Sequence, residues 1–517
     1  MNRIRKKRNT LDEHVSIECL LSGLFLSATF FFLCAAFSDP DRRGAGGATV
    51  SVERTVVNVR ASPQDKKHLR HTNEKDASSV VVTVDEAISV FEDFLKELHQ
   101  RLMGQVEGES NYHKIHQIYH DTTVEKLYPF DQHYLEHMPE RRTDDSIFLS
   151  VASYRDENCL NTITQAYSHA QFPDKLNIGL VQQNCVQDCM SGVLKNQETE
   201  PVEPDEDCYQ LFCESQVGKP HCEAHRVRVL KVDESESLGP YTARYFASKL
   251  WNGESWFMQI DSHSTFAQGW DADSISMLQN APSEKPVISH YPPNTEGLNF
   301  RDEAQQPARR ICDATFSDFD LDSQIVRLED NEPWDNEKLD IPRFAPFIAA
   351  GYFVAHSGIL KEVPFDPFLP WVFMGEEIIM SARFWTHGYD IFSPTHSVVG
   401  HMYVRRYKPK YWESVDRFLW DGVDTLVQDL VLHRVKDQLG YPESAPDLVR
   451  PKSVFFGVEH YTMGSVRSIE DYMKMVGLDP VRKEANNIDW CQTGQPPEYA
   501  KDKSYLYSSS TKSPAQK

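Results

Sequence analysis

The sequence predicts an α/β fold on a mostly parallel central sheet, and three observations carry that expectation. From residue 144 onward, strand-like runs alternate with helix-like runs. This β-α-β-α-β order implies parallel strands with both faces covered. The chain has 517 residues, 40% hydrophobic and 11% aromatic, enough to bury a large core. No G-x-G-x-x-G follows the first strand and no P-loop occurs, so neither a dinucleotide fold nor a P-loop nucleotidase is supported.

The segments before the sheet read as a membrane tether and a stem. Arg3, Arg5, Lys6, Lys7 and Arg8 precede the uncharged run CLLSGLFLSATFFFLCAAF at 19–37. Its length matches the roughly 20 residues that cross a bilayer as a helix. Basic residues before the span put 1–18 in the cytosol and the rest in a lumen, as a signal-anchor. The rival is a cleaved signal peptide ending at the small residues CAA. Residues 38–143 read as a stem, Gly- and charge-rich at first. A helix is expected near 84–107, with Ile88, Phe91, Phe94, Leu95 and Leu98 on one face. Such a stripe is a packing surface or the contact of a homodimer.

The catalytic-domain candidate spans 144–475. SIFLSVASY predicts a strand, NCLNTITQAYSHAQ a helix and KLNIGLVQQN a second strand. After a Cys-rich insertion at 185–222 come strand HRVRVLKVD, helix YTARYFASKLW and strand SWFMQIDSH. Cys159, Cys185, Cys189, Cys208, Cys213, Cys222, Cys312 and Cys491 form an even set outside the span, read as disulfides of an oxidising compartment. The spacings lack the C-x2-C pairs of a zinc site, and the pairing is left open. With no N-x-S/T sequon, N-glycosylation is not expected. Residues 476–517 read as a C-terminal tail. The net charge of −23 argues against nucleic acid as a partner, because phosphate neutralisation needs a basic face.

In parallel sheets, ligands bind outside the carboxyl ends of the strands. Ser153, Tyr154, Arg155 and Asp156 lie at one such end, and Asp261, Ser262 and His263 at another. On an extended backbone, positions i and i+2 share a face, so Asp261 and His263 project together and can hold one cation or polar ligand. Further on, GEEIIMSARFW predicts a helix from Glu376 to about His387, stopped by Gly388. Glu376 and Glu377 at its start suit the helix dipole.

Together, IFLSVASYRDENCLNTI, IGLVQQN, GPYTARYFASKLWNGESWFMQIDSHSTF, FIAAGYFVAHS, GEEIIMSARFWTHGYDIFSP and SVRSIEDYMKMVGLD resemble glycosyltransferase family 60 over most of 146–475. These are retaining enzymes that place α-linked N-acetylglucosamine on protein hydroxyls, hydroxyproline in the cytosol or Thr in the Golgi. A more distant likeness is to the polypeptide GalNAc-transferases, through D-S-H, a G-G-E helix and a G-H-V-F-R segment. The resemblance implies a GT-A fold, UDP-GlcNAc as donor, and Mn²⁺ or Mg²⁺ as cofactor. It makes Asp261, His263 and His401 the metal ligands, a donor set that suits such a cation. It puts Arg244 on phosphate and Ser153, Tyr154, Arg155 and Asp156 at the uridine edge. Arg405 or Arg406 would clamp the diphosphate; VGHMYVRR is one residue longer than the pattern, which leaves that choice open. Asp261, Glu376 and Glu377 form the catalytic set, with either glutamate positioning substrate; Ile379 stands where the GalNAc-transferase helix has a second glutamate. No catalytic base is named, because a front-face reaction lets a phosphate oxygen take the acceptor's proton.

The acceptor expected from a lumenal domain is a Thr or Ser hydroxyl of a secretory-pathway protein, and the location a Golgi membrane in type II orientation. Two rivals stand beside this. One is a metal-dependent hydrolase of a nucleotide-sugar or phosphodiester; the other is a non-enzymatic, membrane-anchored lectin-like protein.

Overall fold

The computed structural model describes residues 81–103, 112–191, 200–295, 308–317, 324–329, 334–335, 339–405, 408–414, 423–442 and 452–508. The expected signal-anchor at 19–37 and the start of the stem lie outside them. Among the described residues, no helix is long and apolar enough to cross a membrane.

The described chain opens on helices α1 (Val84–Met103), α2 (Tyr112–Thr122) and α3 (Tyr128–Glu136), the last two joined by a π turn over Thr123–Leu127. The stripe of α1 falls where the periodicity put it, with Phe91, Phe94, Leu95 and Leu98 buried. Phe91 lies 5.5 Å from the Phe130 ring and 4.6 Å from that of Phe246. Lys249 and Asp131 form a buried ion pair at 2.5 Å, and the Tyr461 hydroxyl donates to the same carboxylate at 2.6 Å. The stem expectation is therefore corrected over its described part: residues 84–103 and 112–136 pack into the sheet domain's own core. The face proposed for a homodimer is already covered. Periodicity shows that a face is apolar and not what covers it.

The sheet follows as β1 (Ile147–Tyr154), α4 (Cys159–His169), β2 (Leu176–Asn184), α5 (Cys208–Glu214), β3 (Val227–Asp233), α6 (Pro240–Ser248) and β4 (Trp256–Asp261). These four strands are parallel in the order β3-β2-β1-β4. The chain steps outward from β1 to β3, then crosses back to the other side of β1, which makes a switch point between β1 and β4. Along β1, Phe148 joins the core under α1 and α6, while Ile147, Leu149 and Val151 join the core under α4, the two-residue alternation of a strand covered on both faces.

Later elements include β5 (Ser264–Phe266), α7 (Trp270–Asn280), β6 (Pro286–Ser289), β7 (Asp313–Phe316), β8 (Val326–Glu329), β9 (Arg343–Phe344), β10 (Tyr352–His356), α8 (Glu376–Thr386), β11 (Asp390–Ser393), β12 (Val399–His401), α9 (Val423–Gln438) and α10 (Ile469–Met475). Strand β10 runs antiparallel to β4 and β6 and completes an eight-stranded sheet in the order β9-β11-β6-β10-β4-β1-β2-β3. Strands β5 and β12 form a separate antiparallel ribbon.

All eight expected cysteines pair, as Cys159–Cys208, Cys185–Cys189, Cys213–Cys222 and Cys312–Cys491. The last bond corrects the C-terminal tail. Cys491 is fixed to Cys312, and buried Tyr507 donates to the Pro342 carbonyl at 2.9 Å.

Candidate active site

Asp261 closes β4 beside the switch point, paired in register with Ala152 of β1. The strand stops there, and Ser262 and His263 turn into β5. His263 thus reaches the Asp261 side through a turn, not through the strand alternation expected. The β5–β12 ribbon pairs Ser264 with His401 and brings in the third group. Donor atoms of Asp261, His263 and His401 all lie within 4.8 Å of one another.

Two of the donors, His263 and Asp261, are held by neighbours outside the triad. His263 Nδ1 bonds Asp156 Oδ2 at 2.6 Å, which leaves Nε2 for a ligand. A carboxylate behind a histidine is the support that metal-binding imidazoles commonly have. Burial alone would push the Asp156 carboxyl up; the hydrogen bond and charge of His263, with Arg405, hold it well below the usual carboxylate range. Asp261 is depressed in the same way: burial opposes its charge, and Arg244 and His401 outweigh that. Its Oδ1 accepts from Arg244 Nη2 at 2.6 Å, while Oδ2 faces His401 Nε2 at 3.1 Å. Two ligands about 2.1 Å from a cation and at right angles stand about 3 Å apart, so this spacing fits a shared divalent ion. Gly351 fits it too. A Cβ there would stand 2.8 Å from Asp261 Oδ2, so a glycine leaves that oxygen free. The residues present suit the implied metal.

The neighbouring carboxylates belong to α8. Glu376 pairs with Arg244 Nη1 and is buried. Burial lifts its carboxyl above the usual value against the pull of Arg244. Glu377 accepts from the Ala350 N–H at 2.9 Å and from the Tyr291 hydroxyl at 2.7 Å. Burial raises it to about 7.

These groups line a cavity of about 470 Å³, a size typical of small-molecule sites. Tyr154, Arg244, Arg405, Glu376, Glu377 and the three metal-type donors are on its wall. Its rim carries Phe373 and Trp412, exposed and packed at 4.7 Å between ring centroids. A smaller cavity of about 230 Å³ under the amino ends of β1 and β2 involves none of the residues expected at the site.

Several expected roles are relocated. Ser153 and Arg155 do not line the cavity. Arg155, at φ 45°, turns its buried guanidinium to Asp205 and Glu234 at 2.8 and 2.7 Å and anchors the Cys-rich insertion. Asp156 stands behind His263 instead of at a uridine edge, so of that foursome only Tyr154 faces the cavity. The Arg244 fork binds two carboxylates where a phosphate was expected. Arg405 lines the cavity, its Nη2 fixed by the Tyr154 and Arg155 carbonyls at 3.0 and 2.8 Å. Arg406 lies outside the described residues. The sequence reading missed Tyr291 and Gly351; FIAAGYF supplied the glycine but nothing to say that a carboxylate leans on it.

Residues 146–482 match the model of the family Glycosyltransferase (GlcNAc), which accounts for more than half of the chain. The chain belongs to this GlcNAc glycosyltransferase family. The matched stretch contains every group of the cavity just described. No curated protein matches the chain. Similar solved structures include GalNAc-T7 with UDP, GalNAc and Mn²⁺, at 13% identity and a TM-score of 0.37, covering 71% of this chain and 65% of that one. Another is S. aureus TarS 1–349 in complex with UDP-GlcNAc, at 12% identity and a TM-score of 0.32, covering 60% and 69%. The chain thus spans less than two thirds of the length of GalNAc-T7.

Proposed function

We propose that this glycosyltransferase is a retaining enzyme of the GT-A type that moves N-acetylglucosamine from UDP-GlcNAc to a Thr or Ser hydroxyl of a secretory-pathway protein. The observation that carries the proposal is the convergence of Asp261, His263 and His401 at the carboxyl edge of β4, beside Arg405 and the α8 glutamates, in a chain of this family. Asp261 Oδ2 and the Nε2 atoms of His263 and His401 would hold the cation, manganese or magnesium, with Asp156 fixing the His263 tautomer. When bound, that ion neutralises charge on the departing UDP. Arg405 adds a cation to the same wall, in an otherwise acidic chain. The acceptor hydroxyl enters on the face that UDP leaves. Its oxygen bonds to the anomeric carbon as the bond to the phosphate oxygen breaks, and its proton passes to that phosphate. Glu376 and Glu377 position sugar and acceptor.

The test is incubation of the purified protein with UDP-GlcNAc, UDP-GalNAc, Mn²⁺ and a Thr-rich peptide, with NMR of the product. An α-anomeric N-acetylglucosaminyl peptide is expected. Sugar release without transfer would favour the hydrolase, and neither outcome the lectin-like reading. A type II Golgi location is part of the proposal, supported by the basic flank and uncharged run at 19–37. A C-terminal tag should be protease-protected in microsomes and stay with the membrane after carbonate washing; its release would favour a cleaved signal.

A further inference from the structure

The residues that lead into α8 are held from beneath at many points. Asp366 accepts from the Phe368 N–H at 2.9 Å and from Arg434 of α9, through Nε and Nη2, at 2.6 and 3.2 Å. Its own N–H donates to the Tyr241 hydroxyl of α6 at 3.0 Å. The Pro367 carbonyl accepts from the Tyr119 hydroxyl of α2 at 2.5 Å. The Trp371 N–H donates to the Leu238 carbonyl at 2.6 Å.

Trp371 lies at φ 58°, a left-handed conformation that a bulky residue rarely adopts. Such an outlier persists only where its surroundings over-determine it, and it points toward function. The surroundings here do so. Trp371 is buried, its ring sits 5.4 Å from that of Tyr119, and a Cβ on Gly239 would stand 3.1 Å from its Cα. Two residues later comes rim residue Phe373, and then Glu376 and Glu377. The metal-type donors hang from β4 and the β5–β12 ribbon instead. The metal-type donors thus depend on the sheet and ribbon alone, while the glutamates ride on the end of the 366–375 segment and are bonded from the sheet side by Arg244, Ala350 and Tyr291.

We infer that Tyr119 and Trp371 are positioning residues for transfer, through which α2 sets the placement of Glu376 and Glu377. The helical layer before the sheet is then part of the catalytic machinery and not a spacer. The inference rests on the sugar-transfer reading. It predicts an effect that general destabilisation does not produce, because loosening the segment slows transfer and leaves UDP binding intact.

The experiment compares the full chain with Tyr119→Phe, Trp371→Ala and Trp371→Phe. Tyr119→Phe removes one hydroxyl and keeps the ring. For Tyr119→Phe, kcat should fall about tenfold to a hundredfold, the scale of a small misplacement of reacting groups. The Kd of UDP with Mn²⁺, measured by calorimetry, should not move. Hydrogen exchange should quicken in the peptide covering 372–380 and stay the same over 256–266. Trp371→Ala should behave alike, and Trp371→Phe should recover part of kcat. Unchanged exchange over 372–380 in both Tyr119→Phe and Trp371→Ala overturns the inference, as does a loss of UDP affinity in step with kcat. If the unaltered chain transfers no sugar, the functional reading fails, and the exchange measurement still decides whether Tyr119 places the segment.

Discussion

Gly351→Ala is the sharpest test of the proposed metal centre, because it adds one carbon and nothing else. The new Cβ would stand 2.8 Å from Asp261 Oδ2 and 3.4 Å from its Cγ. Ordinary contact begins at 3.4 Å, so relief asks for a shift of about 0.6 Å, the difference between 3.4 and 2.8. The carboxylate has little room to give. Its Oδ1 is bound by Arg244 at 2.6 Å, and the Asp261 N–H donates to the Gly351 carbonyl at 3.2 Å. Metal–ligand distances tolerate about 0.2 Å, so a displacement three times larger should lower cation affinity by about 10–100-fold, the scale seen when ligand supports are removed. Gly351 is not among the residues with positive φ, so alanine adds no backbone strain there. Overpacking of this kind costs about 1–3 kcal/mol of stability. Titration of Mn²⁺ in the presence of UDP reads the affinity, and a melting curve without metal reads the fold. A variant that binds the cation as tightly as the parent would refute the reasoning, whatever its melting temperature.

Asp156→Asn removes the carboxylate behind His263 and should weaken the cation about 10–100-fold in the same titration; unchanged affinity would leave Asp156 without its supporting role. Glu377 is a raised carboxyl, ordinary value 4.5 and about 7 here, so its proton stabilises the fold fully below about pH 4.5, and that contribution is lost as pH rises through about 7. The gap corresponds to at most about 3 kcal/mol, and Glu377→Gln should flatten the fall in melting temperature of the metal-free protein across that window; an unaltered slope would count against it. Replacing Cys312 and Cys491 together by Ser opens a loop of 179 residues and should cost about 5 kcal/mol by chain entropy, seen as a lower denaturant midpoint; an unchanged midpoint would show that the bond adds nothing to the fold.

The strand and helix order of 147–261 was legible because each element carries its own period, two residues for strands under two covered faces and nearly four for helices. The metal-type cluster was legible for a different reason. Asp261 and His263 at the end of a buried strand pointed only to a shared cation or polar ligand, and it was family likeness that made them, with His401, a metal set. The roles misread lie where the regular period stops. Arg155 follows the last residue of β1 and adopts a left-handed conformation, so no alternation rule predicts where its side chain goes. Asp156 was identified, but its bond to His263 spans 107 residues and is set by the fold alone. The same holds for Gly351, whose need for no side chain comes from Asp261, ninety positions earlier. The stripe on α1 and the late Cys491 failed differently. Each announced that it needed a partner, and neither could name one.

Under the proposed function, the placement of Arg244 gives a cation at this site a purpose. Asp156, Asp261 and Glu376 are the carboxylates of one bonded cluster behind the cavity, and Arg244 and Arg405 are its guanidiniums. With neutral imidazoles and all three carboxylates ionised, these sum to −1, in a chain whose net charge is −23. A diphosphate brought to that cluster meets repulsion, and Arg244 cannot turn to meet it without leaving buried Glu376 and part-buried Asp261 uncompensated; breaking a fully buried pair costs about 3–5 kcal/mol. A divalent ion at Asp261, His263 and His401 would bring the sum to +1 and make the same pocket attractive to a polyanion. In the proposed arrangement the arginine stabilises the carboxylates that would hold the cation, and the cation would take over the contact with phosphate that the family resemblance had implied for the arginine.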